Sequence, residues 1–275
     1  MYYQKHIIIN GIKVKNNMED NSRFRRLKYN DFKIMANDNS LSQAEKIGFP
    51  DEKREGFEHY ILKSIIEETQ WYGAGHEVLD VGCGCGKLVY EIINYNSSFI
   101  DKSLYIRKEL NQRSSLWLVD SQEVLSQIEI NDYILKKDLP RKIHKVPGKF
   151  PDDFAPPPNS IFPQMDIIIV NSVLQHVFYE YEILGNSKIL DFIEAALLLL
   201  KNSGKLLISD IPNVDKAKRF YKDKFEGYNE EEMDDINIMS ILHTFRTKGY
   251  DTYLLPQTAL LPFRNTREDI LIIKQ

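Results

Sequence analysis

Apolar positions along this chain follow two rhythms. From Phe57, the set Phe57, Tyr60, Ile61 and Ile65 recurs at three- and four-residue spacing, which predicts an amphipathic helix running to about Gln70. Short apolar runs then follow, each closed by a polar or glycine-rich turn: Glu77–Val81, Ser115–Val119, Ile143–Val146, Asp166–Val170, Lys205–Ser209, Thr252–Leu255 and Asp269–Ile273. Helical stretches lie between several of them, most clearly Lys87–Asn94 and Lys188–Lys201. Strands alternating with helices imply a mostly parallel sheet with helices on both faces. The run Ile167-Ile168-Ile169-Val170 is apolar on both sides, as a central parallel strand requires. The last two runs are joined by a long loop carrying Pro256 and Pro262 and no helical pattern. An antiparallel last strand is therefore expected.

The first forty residues are polar, with a basic cluster at Arg23, Arg25, Arg26 and Lys28. They read as a loosely attached arm or as a cap over the rest. Order is expected to begin near Ser42, where Ser42 and Glu45 have capping-box spacing, and Gly48-Phe49-Pro50 then breaks the chain. This divides the protein into an N-terminal arm and helical cap, 1–55, and a main domain, 56–275.

Composition narrows the class. A chain of 275 residues with 43% hydrophobic side chains can bury a sizeable core and is not disordered. A net charge of -4 disfavours a nucleic-acid-gripping surface. The longest aliphatic run, Ala195 to Leu200, is too short to cross a bilayer, and MYYQKHIIINGIKV lacks the pattern of a signal peptide. The two cysteines, Cys83 and Cys85, flank one glycine and can neither staple distant segments nor complete a zinc site. A cytoplasmic globular protein without membrane insertion is expected.

Candidate chemistry concentrates in Val78-Leu79-Asp80-Val81-Gly82-Cys83-Gly84-Cys85-Gly86-Lys87-Leu88. A P-loop needs a glycine where Val81 stands and Ser or Thr where Leu88 stands. A dinucleotide fingerprint needs a third glycine at Lys87. What remains is Asp-Val-Gly-x-Gly-x-Gly, at the turn from a predicted strand into a predicted helix.

This loop resembles motif I of the class I S-adenosylmethionine-dependent methyltransferases. The resemblance covers about residues 42–275 and implies a Rossmann-like fold with S-adenosyl-L-methionine as cofactor and S-adenosyl-L-homocysteine as product. It implies that Asp80, Gly82, Cys83, Gly84 and Gly86 line the cofactor, with the glycines letting the backbone approach it closely. It also calls for an acidic residue after the second strand to hold the ribose hydroxyls. Asp101 and Asp120 compete for that role; the run Leu116–Val119 makes the more convincing strand, which favours Asp120 with Ser121. After the third strand the family often places an acidic adenine contact. Here Gly148, Lys149 and Phe150 stand instead, which leaves backbone groups or Phe150 for that contact. Asn171 closes the fourth strand, between the cofactor and acceptor positions. Four segments, Glu45–Phe57, Leu118–Ser121, Val146–Asp153 and Ser209–Phe220, resemble a subgroup of bacterial methyltransferases of surface-polysaccharide or other glycan biosynthesis.

Methyl transfer to a hydroxyl needs a general base near the methyl. His176, just after the fourth strand, is the best placed, against the alternative of a purely structural donor; His59 is a weaker candidate. Asn171-Ser172-Val173-Leu174 lacks the Pro-Pro-Tyr run of amide and base nitrogen methylation. Asp210 and Asn213 lack the further carboxylate that a magnesium site needs, so no metal is expected. The basic stretch Lys216, Lys218, Arg219, Lys222 and Lys224 is either a phosphate-receiving face or the solvated side of a helix. The expected partner is a small-molecule or glycan acceptor, with RNA, another metabolite, an aminopropyl-transfer role and a non-catalytic scaffold as alternatives.

Overall fold

The computed structural model describes residues 6–9, 12–15, 26–48, 57–71, 75–86, 88–90, 115–129, 142–154, 162–221 and 236–275. Two short strands, β1 (His6–Ile9) and β2 (Ile12–Lys15), form an antiparallel hairpin. The main sheet follows: β3 (Glu77–Val81), β4 (Ser115–Asp120), β5 (Lys142–Pro147), β6 (Met165–Asn171), β7 (Leu200–Pro212), β8 (Asp251–Pro256) and β9 (Arg267–Ile273). Its order is β5-β4-β3-β6-β7-β9-β8. Strands β3 to β7 are parallel, and β9 is antiparallel to both β7 and β8, between which it lies. All seven expected runs are strands, and the antiparallel strand is the last one.

Alternation along the strands builds two cores. Leu79 and Val81, Trp117 and Val119, and Ile168 and Val170 face one side, where α6 (Gly185–Leu199) and α8 (Ile238–Thr247) bring Ile189, Phe192, Leu242 and Phe245. Val78, Leu116, Leu118, Ile167 and Ile169 face the other, against Leu62 and Ile65 of α3 (Glu58–Thr69). Period-two alternation thus feeds helices on both faces. Burial of each such side chain contributes on the order of 1.5–3 kcal/mol. Helix α3 ends where Gln70 enters the left-handed region at φ 55°. Short α4 (Gln122–Leu125) follows β4, and α5 (Leu174–Tyr181) follows β6. Helix α7 (Val214–Tyr221) follows β7.

Ordered structure begins earlier than the sequence suggests. Helix α1 (Tyr29–Ala36) precedes the short helix α2 (Gln43–Lys46), which starts at the expected Ser42–Glu45 capping box. Helix α1 is only eight residues long, and its stability comes from outside. Leu27, Phe32, Met35 and Leu41 form a small cluster of their own, and the Tyr29 N–H donates to Glu180 Oε2 at 3.1 Å. Propensity alone is a weak guide to a helix held by such contacts. Among the described residues, no helix is long and apolar enough to cross a membrane.

Candidate active site

The strand ends at the carboxyl edge of β3, β4, β5 and β6 open into one cavity of about 1630 Å³, counting its open mouth. Ligands in open α/β sheets bind at this edge. Asp80, Gly82, Cys83, Gly84, Asp120, Gly148, Lys149, Phe150, Asn171 and His176 all line it. Gly86 and Ser121 lie immediately behind it: Gly86 closes the glycine loop onto Ile128, and the buried Ser121 caps α4 through its hydroxyl. Asp101 lies outside the described residues, as do Lys222 and Lys224 of the basic stretch.

The glycine loop turns back on β4. The N–H groups of Gly82 and Cys83 both donate to Val119 O, at 2.8 and 3.3 Å. Gly82, Gly84 and Gly86 all have positive φ, at 71°, 57° and 78°. The packing gives these glycines a second reason beside the expected room for a ligand. A Cβ on Gly82 would meet Val173 at 2.5 Å, and one on Gly84 would meet Ile47 of the cap at 2.8 Å. These glycines therefore let protein pack on protein while the left-handed turn is made.

Asp120 ties the second strand to this loop. Its Oδ2 accepts from the Gly84 N–H at 3.0 Å, and its Oδ1 accepts from the Ser121 N–H at 2.7 Å. Asp80, 3% exposed, lies close enough for the two carboxylates to repel each other. Burial first, and Asp120 second, push the Asp80 carboxyl up to about 7. Burial raises Asp120 to about 6, against the lowering effect of its two backbone N–H donors. Two desolvated carboxyls in one cavity fit a ligand that brings positive charge.

The turn after β5, where the adenine contact is expected, is also tied into the protein by its side chains. Phe150 is buried edge-on against Phe154 and Phe192, at centroid distances of 5.4 and 5.0 Å. Lys149 Nζ donates to Tyr181 OH at 3.1 Å and to Glu180 Oε1 at 3.3 Å, partners that raise its pKa against burial. Gly148 has φ 145°, and a Cβ there would lie 2.4 Å from Asp153 O.

His176 sits in the first turn of α5. Its Nδ1 lies 3.0 Å from the Leu27 carbonyl oxygen, and the Phe32 ring stands edge-on to it at 4.7 Å. Ser172, just after β6, has φ 59°, and its hydroxyl donates to Asp210 Oδ2 at 2.5 Å. Asp210, itself at φ 63°, accepts from Arg267 and sits beside Asp269 and Gln257, so the residue weighed as a metal ligand is held in a buried network. Burial raises the Asp269 carboxyl to about 7. Lys216, read as a candidate phosphate contact, donates to the Arg264 and Arg267 carbonyls and pairs with Glu268 at 3.0 Å.

Sequence reasoning missed the cap's share of the cavity. Tyr29, Phe32, Lys46 and Ile47 line it from above. Burial and the nearby Asp120 carboxylate raise the Tyr29 hydroxyl to about 12. The signals in this region were the capping box at Ser42 and the polar first forty residues, which read as an arm or a cap.

Sheet order, the antiparallel last strand and flanking helices together define a Rossmann-like methyltransferase fold. A solved structure similar over nearly its whole length is the plantazolicin methyltransferase BpumL in complex with SAH. It is 13% identical, with 93% of this chain and 96% of that chain covered and a TM-score of 0.52. A provisionally designated O-methyltransferase from Nostoc punctiforme is 16% identical with a TM-score of 0.48. That match covers 78% of this chain and 57% of the Nostoc protein, so this chain spans little more than half its length. No protein-family model and no curated protein matches the sequence.

Proposed function

We infer that this protein is an S-adenosylmethionine-dependent methyltransferase that acts on a hydroxyl of a small-molecule acceptor. The observation that carries this reading is the pair Asp80 and Asp120 beside the Gly82–Gly86 turn, in a cavity that also takes in His176. SAH in the similar BpumL structure lends support. When bound, the cofactor supplies a methyl group already activated on a sulfonium. The chain's own tasks are to hold charge, orient the reactants and move a proton. Asp80 and Asp120 are suited to face the ammonium and ribose groups, and the cationic ligand would keep both ionised. Asn171, at the end of β6, lines the same cavity. His176 is the base that removes the acceptor's proton. Cys83 and Gly84 border the ligand through their backbone.

A sugar is the acceptor class we propose, on the four segments that resemble glycan-modifying enzymes. Calorimetry with S-adenosylmethionine, SAH and NAD tests the cofactor: binding of the two sulfur ligands is expected, and binding of NAD alone would overturn the reading. Turnover over a panel of nucleotide sugars and glycans, with products identified by mass, tests the acceptor. Methylation of none of them, alongside methylation of a peptide or nucleic acid, would sink the sugar assignment.

A further inference from the structure

A base needs more than a position beside the acceptor; it needs its lone pair on the correct nitrogen. In water, neutral histidine favours the hydrogen on Nε2, which would leave the basic lone pair on Nδ1. Two backbone carbonyls set the opposite arrangement here. Leu27 O, 3.0 Å from His176 Nδ1, can only accept, so Nδ1 carries a hydrogen. On the other side, the Gln175 amide nitrogen donates to Ser172 O at 2.9 Å, which fixes the orientation of that amide. The same nitrogen lies 3.5 Å from His176 Nε2. A hydrogen on Nε2 would point N–H against N–H, whereas a lone pair there is compatible with its neighbour.

We propose that the Leu27 carbonyl is a positioning group for His176: the docked cap selects the tautomer whose Nε2 is the base. This rests on the methyltransferase reading above for its purpose, but not for its geometry. The carbonyl comes from 149 positions earlier in the chain, on a segment outside both sheet cores. Several contacts seat that segment. Phe32 packs edge-on to the same imidazole, the Tyr29 N–H reaches Glu180 one turn along α5, and Lys46 Nζ donates to Gln127 Oε1 at 3.0 Å. Ile47 lies over Gly84, so the segment that orients the base also covers the glycine loop. The same segment thus both borders the cavity and orients the base. Proton transfer then runs from the acceptor hydroxyl to Nε2, giving an imidazolium whose Nδ1–H still donates to Leu27 O.

Nitrogen-15 NMR of histidine-labelled full-length protein tests this without any turnover. His176 should be the Nδ1–H tautomer when neutral; a dominant Nε2–H tautomer would overturn the proposal. A second arm replaces the amide between Leu27 and Lys28 by an ester, which makes the Leu27 carbonyl a poorer acceptor. The Nε2–H population of His176 should then rise about two- to tenfold, the range for weakening one hydrogen bond. Because the ester also removes the Lys28 N–H that donates to Asp31, Asp31→Ala is the control and should leave the tautomer alone. An ester variant that matches the Asp31→Ala protein would show that the carbonyl does not set the tautomer. The expected tautomer in a protein that binds no S-adenosylmethionine would count against the methyltransferase reading and leave the positioning intact.

Discussion

The Asp120 carboxylate accepts the Gly84 amide hydrogen at 3.0 Å, which fastens the end of β4 to the glycine loop that leaves β3. One side chain therefore shapes the loop and presents charge to the cavity. Asp120→Ala should weaken S-adenosylmethionine binding by about 1.5–3 kcal/mol, the range for a hydrogen bond to a charged group. Asp120→Asn should recover part of that loss, because its amide oxygen can still accept from Gly84. Isothermal titration of the two variants, with Asp101→Ala alongside, checks this. A large loss in Asp101→Ala and none in Asp120→Ala would reassign the ribose contact.

Asp80 should make the unliganded protein less stable as pH rises. Its carboxyl sits near 7 in the folded protein against a usual 3.8, so the folded state holds more protons than the unfolded chain between about pH 4 and 7. Stability falls with rising pH across that window. Asp80→Asn removes the cost, on the order of 2–4 kcal/mol at pH 8, while abolishing cofactor binding. Denaturant melts at pH 5 and pH 8 measure it; a variant less stable than the parent at pH 8 would refute the account.

The same carboxyls link cofactor binding to protons. A cationic ligand prefers both ionised, so affinity should rise with pH through about 6 to 7 and level off above. Binding at pH 6 should release protons to buffer, and titration in two buffers of different ionisation enthalpy reads the number. Proton uptake would be the opposite sign.

Gly84→Ala should act through the cap. At φ 57° the new side chain is strained by about 1–2 kcal/mol. Its Cβ would also push on Ile47, 2.8 Å away. Hydrogen exchange in residues 43–48 should quicken, and Ile47→Ala should restore part of the stability in a double-mutant cycle. Unchanged exchange there, with lost cofactor affinity, would mean the glycine serves the ligand after all.

His176→Ala should leave cofactor affinity nearly unchanged and slow the chemical step by about 10²–10⁴-fold. Single-turnover kinetics with the unmethylated acceptor separate the two. Near-native turnover would make His176 a structural side chain that docks the cap.

Much of this protein is legible in its residues taken one segment at a time. The short apolar runs Val78–Val81, Leu116–Val119 and Ile167–Val170 predict buried strands because each residue's face is set by the next two or three bonds. The glycine spacing from Gly82 to Gly86 marks the turn because positive φ is a local property of the backbone. The end of β4 at Asp120 is legible because the apolar run before it stops there.

Tertiary structure decided the rest. Helix α1, at eight residues, is too short to declare itself, and its segment is held by Glu180 and His176, more than 140 positions away. Ser172 and Asp210 take left-handed conformations that neither residue type prefers, held by a hydrogen bond between strand ends that only sheet assembly brings together. Phe150 reads as a ligand contact by position, and only the fold packs Phe154 and Phe192 edge-on against its ring at the cavity wall. The raised carboxyls of Asp80 and Asp120 follow from shared burial, which no spacing in the chain encodes. Local bonds set what each segment can become; which groups lose water together, and which carbonyl meets which imidazole, is settled only when distant segments pack.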